Sequence, residues 1–280
     1  MPSIYLQIPY GEYNFIMSAE NMNLIRKIAR GILKSCSFFL PGYQVVIIKT
    51  SDKIIKVDEE KYFQDGMYIE NQSSFRKEES FKNIIRKLTD KIGVNYEMDW
   101  RTYIAMELSS HASSLEGDFV ELGSGEGWII NAIMLRNPQL SRDREIHLFD
   151  KFDGFEVDIT VGGIKNSIHP RYPIDSRDLF ENLEIKDRVF VHTAQLPDGL
   201  QVLAQKPIAF LHIDLNAAQT EAQSLEVLYP QIIPNGVILL DDYCGRGREV
   251  QHNAINALAR RLEFNVVSLP TGQGLILKSS

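Results

Sequence analysis

The stretch Phe119-Val120-Glu121-Leu122-Gly123-Ser124-Gly125-Glu126-Gly127 decides the fold of this protein. Its first residues are mostly apolar and predict a buried β-strand, and its three glycines at alternate positions predict a tight loop. The apolar run that begins at Trp128 predicts a helix after the loop. Glycine lets the backbone approach a ligand closely, and a helix N-terminus offers unpaired N–H groups beside it. A strand, a glycine loop and a helix in this order therefore predict the edge of a cofactor site.

The spacing of the glycines distinguishes between cofactors. A dinucleotide-binding loop requires a small residue three places after its second glycine, where the helix packs closely on the strand. Trp128 occupies that place, which disfavours a nicotinamide cofactor. The pattern Glu-x-Gly-x-Gly-x-Gly instead resembles the first motif of class I S-adenosylmethionine-dependent methyltransferases. The resemblance implies a set of cofactor-binding residues in this loop, namely Glu121, Gly123, Ser124, Gly125 and Gly127.

Length and composition narrow the function classes. The chain has 280 residues, 44% of them hydrophobic, which allows a sizeable core and suggests one large domain with an appendage. The formal net charge of −7 argues against general affinity for nucleic acid, so the expected partners are small molecules. Two cysteines are too few for a disulfide framework, and no apolar run is long enough to span a membrane. Because the chain also starts without the pattern of a secretory signal, we expect a cytoplasmic protein.

Residues 1–98 are predicted to form an α+β appendage without a chemical signature. Residues 21–34 repeat apolar side chains at helical spacing beside basic ones. This amphipathic helix is interpreted as packed on its own protein or on a second subunit, and a membrane-surface or partner-docking helix is the alternative. Residues 43–49 and 54–58 predict a hairpin, and residues 81–92 predict a further helix. An appendage of this kind suits a homo-oligomer.

Residues 99–280 alternate predicted strands and helices. Apolar strands that alternate with helices predict a parallel sheet covered on both faces, and hence an α/β fold. The last two predicted strands, 264–269 and 274–278, are separated by only four residues, so the final strand must run antiparallel. A doubly wound sheet of seven strands with a reversed last strand is typical of class I methyltransferases, whereas plain dinucleotide folds lack the reversal.

Two polar residues after predicted strands are candidates for binding the nucleoside part of a cofactor. Ligands of a doubly wound sheet bind beyond the carboxyl ends of its strands. Asp150 closes the second strand and is suited to accept hydrogen bonds from both ribose hydroxyls, although a helix cap or a solvated loop acid is the alternative. Gln195 follows the third strand, where its amide can reach the edge of an adenine.

Three acidic residues follow the next two predicted strands. Asp214 ends the fourth strand, and Asp241 and Asp242 end the fifth, so the fold is expected to bring their carboxylates together. Like charges so close raise one another's pKa unless a cation lies between them. Oxygen ligands favour Mg²⁺, which would orient a substrate hydroxyl and lower its pKa for attack on a methyl group. The alternative is that the paired aspartates only cap turns.

With these residues in view, residues 100–278 resemble the macrocin O-methyltransferase family, metal-dependent enzymes that methylate sugar hydroxyls in natural products. The resemblance rests on several motifs, namely Leu115–Gly123, Phe149–Phe155, Leu211–Asp214, Leu228-Tyr229-Pro230, Gly236 and Asp241-Asp242-Tyr243. It implies that Asp214, Asp241 and Asp242 are metal ligands and that Asp150 binds the ribose. We also assign Phe152, in the second motif, to the cofactor site.

The sequence leaves the general base open. Members of the family commonly carry a second acid after the metal aspartate, where this chain has Asn216, and an amide does not take up a proton near neutral pH. The candidates are Asp214, Asp242, His212 and His252. We assign the catalytic role to Asp214 and His252, with a packing role as the alternative for the histidine.

These observations predict a metal-dependent O-methyltransferase that moves a methyl group from S-adenosylmethionine to a hydroxyl of a sugar, glycoside or other diol-bearing metabolite. One alternative is a metal-independent enzyme that methylates a nitrogen or a carboxylate. Another is a non-catalytic interaction module that retains the cofactor fold. The irregular segment 153–177 is interpreted as a lid over the substrate, or else as a structural loop.

Overall fold

The computed structural model describes residues 62–65, 67–69, 71, 73–152, 188–245 and 247–279, and elsewhere the backbone of seven short strands. The predicted helix at residues 21–34 and most of the segment 153–177 lie outside the described residues. The chain divides into two compact units, Met1–Ser74 and Phe75–Ser280.

The first unit contains a five-stranded antiparallel sheet. Its strands are β1 (Ser3–Ile8), β2 (Gly11–Ile16), β3 (Cys36–Leu40), β4 (Tyr43–Ile47) and β5 (Ile54–Val57). They are arranged in the order β2-β1-β3-β4-β5, and the pairing of β4 with β5 confirms the predicted hairpin. A two-stranded ribbon of β6 (Tyr62–Gln64) and β7 (Met67–Ile69) follows.

The second unit alternates strands and helices as expected. Its described α-helices are α1 (Glu79–Ile92), α2 (Asp99–Ala112), α3 (Trp128–Arg136), α4 (Leu140–Asp143), α5 (Ala218–Leu228) and α6 (Glu249–Leu262). Its strands are β8 (Asp118–Leu122), β9 (Ile146–Asp150), β10 (Phe155–Val157), β11 (Ser167–His169), β12 (Val189–Thr193), β13 (Ile208–Ile213), β14 (Ile232–Leu240), β15 (Val267–Ser268) and β16 (Gly274–Leu277). Within the part of the chain that is described, no helix has the length and apolarity needed to cross a lipid bilayer.

Seven of these strands form one sheet in the order β12-β9-β8-β13-β14-β16-β15. The strands from β12 to β14 are parallel to one another, and β16 runs antiparallel to both of its neighbours. The predicted class I methyltransferase fold, with its reversed last strand, is confirmed. Strands β10 and β11 form a separate antiparallel ribbon within the segment predicted to be irregular.

Apolar side chains cover both faces of the sheet. Helices α1, α2 and α3 contribute to the core on one face, and α5 and α6 contribute to the core on the other. All six residues of β13 are buried, as expected for a central parallel strand. The order of the strands reverses at β8, which lies between β9 and β13. The carboxyl ends of β8 and β13 therefore border the crevice where ligands of this architecture bind.

The division between the two units differs from the predicted one. The sequence predicts an appendage of residues 1–98, but the second unit of the structure begins at Phe75. The reason lies in α1, whose apolar residues Phe81, Ile84 and Leu88 are buried in the same core as residues of α2 and α3. An amphipathic helix shows in its sequence that one face is buried, but it does not show what covers that face.

Candidate active site

The glycine loop after β8 depends on backbone conformations that favour glycine. Gly123, Gly125 and Gly127 have φ values of 83°, 47° and 74°. A Cβ on Gly123 would overlap the carbonyl oxygen of Asp214, the residue that follows β13. Gly127 directly precedes α3, whose first residue is Trp128 as predicted. The loop is therefore packed against the end of the neighbouring strand, at the crevice.

Asp150 holds this loop in place. Its Oδ2 accepts a hydrogen bond from the backbone N–H of Gly125 at 2.8 Å, and its Oδ1 accepts one from that of Phe152, also at 2.8 Å. Each carboxylate oxygen has a second lone pair, so this carboxylate can still accept hydrogen bonds from ribose hydroxyls. Asp150 therefore fits a nucleoside cofactor, because its carboxylate holds the glycine loop and can accept further hydrogen bonds beside that loop.

The remaining residues assigned to the cofactor occupy different positions around the loop. Ser124 is buried, and its hydroxyl has no hydrogen-bond partner among the described residues. Phe152 is buried after β9, with a positive φ of 58°. Gln195 is exposed after β12, two strands away from β8.

Trp128 donates a hydrogen bond from Nε1 to Oγ1 of Thr102 at 2.9 Å, so the structure accommodates a large residue where dinucleotide folds need a small one.

Glu121 contacts a histidine that the sequence analysis named only as a possible base. Glu121 and His212 are directly opposite each other on β8 and β13, and Oε1 of Glu121 lies 2.9 Å from Nδ1 of His212. Nε2 of His212 lies 3.8 Å from Oδ1 of Asp241. Burial alone would lower the pKa of His212, but the carboxylates of Asp241 and Glu121 raise it to about 10. His212 is therefore an imidazolium at neutral pH and has no lone pair with which to act as a base.

Asp241 is held by side chains from distant parts of the chain. Its Oδ2 accepts a hydrogen bond from Nη1 of Arg101 at 2.7 Å, and its Oδ1 accepts one from Nε2 of Gln273 at 3.0 Å. Burial alone would raise the pKa of Asp241, but Arg101, His212 and Gln273 hold it below its ordinary value. Arg101 and Gln273 were not among the predicted site residues. No local motif marks either one, since Arg101 lies on α2 and Gln273 in the turn before β16.

Asp214 and Asp242 are linked through an amide and a guanidinium. Nη2 of Arg248 lies 2.6 Å from Oδ1 of Asn216 and 2.9 Å from Oδ2 of Asp242. Nδ2 of Asn216 in turn donates to Oδ1 of Asp214 at 3.2 Å. Asn216, where the resemblance to the macrocin family predicts an acid, thus bridges an aspartate and an arginine. Arg248 was not predicted either, because nothing in its sequence context distinguishes it from other basic residues near helix ends.

The backbone brings these acids together at the crevice. The N–H of Asp214 donates to the carbonyl of Leu122 at the end of β8, and the N–H of Asp241 donates to that of Ile213 at the end of β13. Burial, together with the charges of Asp241 and Asp242, raises the pKa of Asp214 well above its ordinary value. The charges of Asp241 and Asp242 are therefore close enough to affect the carboxyl of Asp214.

A further acid, not predicted, lies close to these aspartates. Glu221 on α5 is buried, and its Oε1 has no hydrogen-bond partner in the described part of the chain. Burial and the charge of Asp242 raise the pKa of Glu221 to about 8. The acidic groups of the site are Glu121, Asp214, Glu221, Asp241 and Asp242, and its cationic groups are Arg101, His212 and Arg248. The raised pKa values of Asp214 and Glu221 favour the protonated forms of these two carboxyls.

The site fits a hard divalent cation in donor type. Carboxylate oxygens are the preferred ligands of Mg²⁺, and an ion bound by Asp214 would favour the charged form of its carboxyl over the protonated one. The side chains are nevertheless not arranged as a finished metal site. Among the described residues, three ligand atoms lie within 4.8 Å of one another only at Asp118, Glu145 and His147, near the opposite ends of β8 and β9, where Lys206 already pairs with Glu145.

His252, assigned as a catalytic residue, lies on α6 and is half-buried. Its ring packs against that of Tyr243, with 4.7 Å between the ring centroids. Tyr243 follows Asp242 directly and donates a hydrogen bond from its hydroxyl to Oδ1 of Asn256 at 2.9 Å. The structure thus places His252 next to the residue that follows the paired aspartates. Its Nδ1 has no hydrogen-bond partner among the described residues.

Known proteins that resemble this chain share its fold. The family described as "Methyltransferase domain" (Methyltransf_24) matches residues 120–243. The O-methyltransferase NovP is 19% identical with a TM-score of 0.53, over 64% of this chain and 80% of NovP. A putative caffeoyl-CoA O-methyltransferase from Staphylococcus aureus is 13% identical with a TM-score of 0.50, over 73% of this chain and 94% of that protein. Among curated proteins, none matches this sequence.

The matched segment begins in β8 and ends just after the paired aspartates, so it contains the glycine loop, Asp150 and all three strand-end aspartates. The prediction that the chain is a methyltransferase is confirmed by this match together with the fold. Residues 120–243 match the family described as "Methyltransferase domain" and contain most of the parallel strands of a sheet with the class I methyltransferase strand order.

Proposed function

We propose that the protein is an S-adenosylmethionine-dependent O-methyltransferase, similar to the macrocin family. Its acceptor is a hydroxyl of a sugar, a glycoside or another diol-bearing metabolite, and Mg²⁺ binds at Asp214, Asp241 and Asp242. One observation carries the proposal. The glycine loop and the acidic cluster are in direct contact, since a Cβ on Gly123 would overlap the backbone of Asp214. A cofactor on the loop and a hydroxyl at the acids would therefore be neighbours.

The residues around the glycine loop bind and orient the cofactor in this proposal. S-adenosylmethionine, when bound, supplies a methyl group on a sulfonium sulfur. Asp150 accepts hydrogen bonds from the ribose hydroxyls while it keeps its bonds to the loop backbone, and the buried hydroxyl of Ser124 donates to the methionine end. Phe152 covers the nucleoside, and Gln195 binds the adenine edge.

The strand-end acids hold and deprotonate the acceptor hydroxyl. Mg²⁺, when bound, would orient this hydroxyl and lower its pKa. We assign the proton to Asp214, because this residue lies directly against the glycine loop and so beside the proposed position of the methyl group. His252 is the second candidate for this role, because Nδ1 of its half-buried ring has no partner among the described residues.

Methyl transfer assayed with and without metal tests the proposal. The purified chain would be incubated with S-adenosylmethionine and a panel of sugar nucleotides, glycosides and catechols, first after treatment with EDTA and then with added Mg²⁺. We expect a methyl ether product whose formation stops with EDTA and resumes with Mg²⁺. Calorimetry with S-adenosylhomocysteine tests cofactor binding separately, and a chain that binds none would be a non-catalytic module.

A second candidate is a metal-independent methyltransferase that acts on a nitrogen or a carboxylate. The ion pairs of Asp241 with Arg101 and of Asp242 with Arg248 favour it, because each guanidinium already neutralises one of the proposed ligands. Methyl transfer to an amine or a carboxylate that continues in EDTA would support this candidate over the first.

The biological setting belongs to the same proposal. We infer a cytoplasmic enzyme of natural-product biosynthesis that binds small molecules rather than nucleic acid and assembles into a homo-oligomer through its first unit. Light scattering of the whole chain and of residues 75–280 would compare their masses. Equal numbers of subunits in the two would contradict assembly through the first unit.

A further inference from the structure

Arg101 and Arg248, which pair with the strand-end aspartates, are anchored differently. Arg101 donates to the side chain of Asp241 and also to two backbone carbonyls, those of Asp241 and Thr271, at 2.8 and 2.9 Å. Backbone carbonyls of a packed loop do not move away, so Arg101 is a fixed part of the site. Arg248 instead contacts side chains at the site, those of Asn216 and Asp242.

The guanidinium of Arg248 is also incompletely satisfied. Its Nη2 serves both Asn216 and Asp242, whereas its Nη1 is buried without a hydrogen-bond partner among the described residues. A buried donor without a partner costs free energy that a better-satisfied position would recover. Arg248 directly precedes α6. Withdrawal of Arg248 from the site would therefore break fewer hydrogen bonds than withdrawal of Arg101.

Asn216 determines what Arg248 can contact. The asparagine has a φ of 57°, a left-handed conformation that asparagine adopts more readily than most residues. Its amide accepts from Arg248 on one side and donates to Asp214 on the other. Because the amide carries no charge, it connects the guanidinium to Asp214 but does not neutralise the charge of the aspartate. Arg248 thus occupies the place of a cation between Asp242 and the amide bonded to Asp214.

We propose that Arg248 is a displaceable counter-cation that competes with a divalent metal ion for Asp242 and Asp214. This inference rests on the proposed metal site. An ion bound by these acids would lie within a few ångströms of the guanidinium, and like charges in a partly buried site repel each other with little screening. The ion binds only when the guanidinium withdraws from Asp242, so Arg248 lowers the affinity for metal and positions the aspartates while the metal is absent.

Binding of Mn²⁺ to the whole chain tests this inference without an activity assay. Free Mn²⁺ would be titrated by electron paramagnetic resonance against the wild type, Arg248→Gln, Arg248→Lys and Arg261→Gln. We expect Arg248→Gln to bind Mn²⁺ about tenfold more tightly or better, because it removes the competing charge. Arg248→Lys keeps the charge and should stay close to the wild type. Arg261, on the same helix in an exposed ion pair with Glu226, provides the matched control.

The outcomes separate this inference from the proposed function. Mn²⁺ binding of equal strength in the wild type and Arg248→Gln would overturn the competition but leave the metal site standing. No Mn²⁺ binding in any variant, with intact binding of S-adenosylhomocysteine, would overturn both. Near-ultraviolet circular dichroism would verify folding, and Arg248→Ala is a second neutral variant should Arg248→Gln not fold. A weaker Mn²⁺ affinity in both neutral variants would show that Arg248 supports the metal instead.

Discussion

The carboxylate of Glu121 and the imidazole of His212 lie side by side on two neighbouring parallel strands, 2.9 Å apart and both buried. Glu121 immediately precedes the last residue of β8 and the glycine loop, while His212 also faces Asp241 at the end of β14. This pair therefore connects the cofactor loop with the acidic cluster through one buried positive charge.

Replacement of His212 by glutamine should destabilise the domain by about 3 kcal/mol, because two buried carboxylates lose their shared cation. The change keeps a similar size and one hydrogen-bond donor, so most of the loss reflects charge. Urea denaturation measures the free energy of unfolding. His111→Gln, at an exposed position of α2, is the control and should change it by less than about 0.5 kcal/mol. Equal stability of the two variants would contradict a charged His212.

The stability of the domain should decrease as the pH rises from about 4.5 to about 8, partly because of Glu221. Burial raises the pKa of this carboxyl from its ordinary 4.5 to about 8. The folded state therefore holds a proton that the unfolded state releases, and this contribution is complete below pH 4.5 and lost as the pH passes 8. Glu221→Gln should remove that part of the dependence and be more stable than the wild type at pH 8, by a few kcal/mol at most. Urea denaturation at pH 5 and pH 8 measures the difference, and an unchanged pH slope would count against a protonated Glu221.

Gly123→Ala should abolish binding of S-adenosylhomocysteine and destabilise the domain strongly, because the added Cβ would overlap the carbonyl oxygen of Asp214. Gly93→Ala is a matched control. Gly93 has nearly the same φ, 84°, but an added Cβ there meets nothing within 4 Å. The control should therefore cost only about 1 kcal/mol from backbone strain. Calorimetry and thermal unfolding of both variants separate the overlap from the strain, and similar losses in the two would argue against close contact of the loop with β13.

Asp150→Asn should reduce the affinity for S-adenosylhomocysteine by at least about tenfold. An asparagine offers one acceptor oxygen, so its NH₂ group would face one of the two backbone N–H groups that the carboxylate now binds. The loop would lose a bond, and the ribose would lose an acceptor. Calorimetry measures the affinity, with Asp198→Asn at an exposed position as the control. Unchanged affinity in Asp150→Asn would remove this residue from the cofactor site.

Much of the domain could be predicted because its signals are local. The apolar strand before Gly123, the helix from Trp128 and the antiparallel pairing of the last two strands each follow from neighbouring residues, and the structure confirms all three. The positions of Asp214, Asp241 and Asp242 at strand ends followed from the same reasoning. The assignment of α1 to the appendage failed, because amphipathic spacing does not identify the surface that a helix packs against.

The sequence by itself determined the order of strands and helices, the glycine loop and the chemical type of the groups at the strand ends, since backbone conformation and periodicity depend on residues close in the chain. Only the tertiary structure decided which hydrogen bonds those groups form and which of them are charged. Arg101 reaches Asp241 across 140 positions of the chain, Gln273 reaches it across 32, and His212 becomes charged because strands β8 and β14 place acids on either side of it. Charge and hydrogen bonding act through space, and the distances that control them exist only once the sheet has formed.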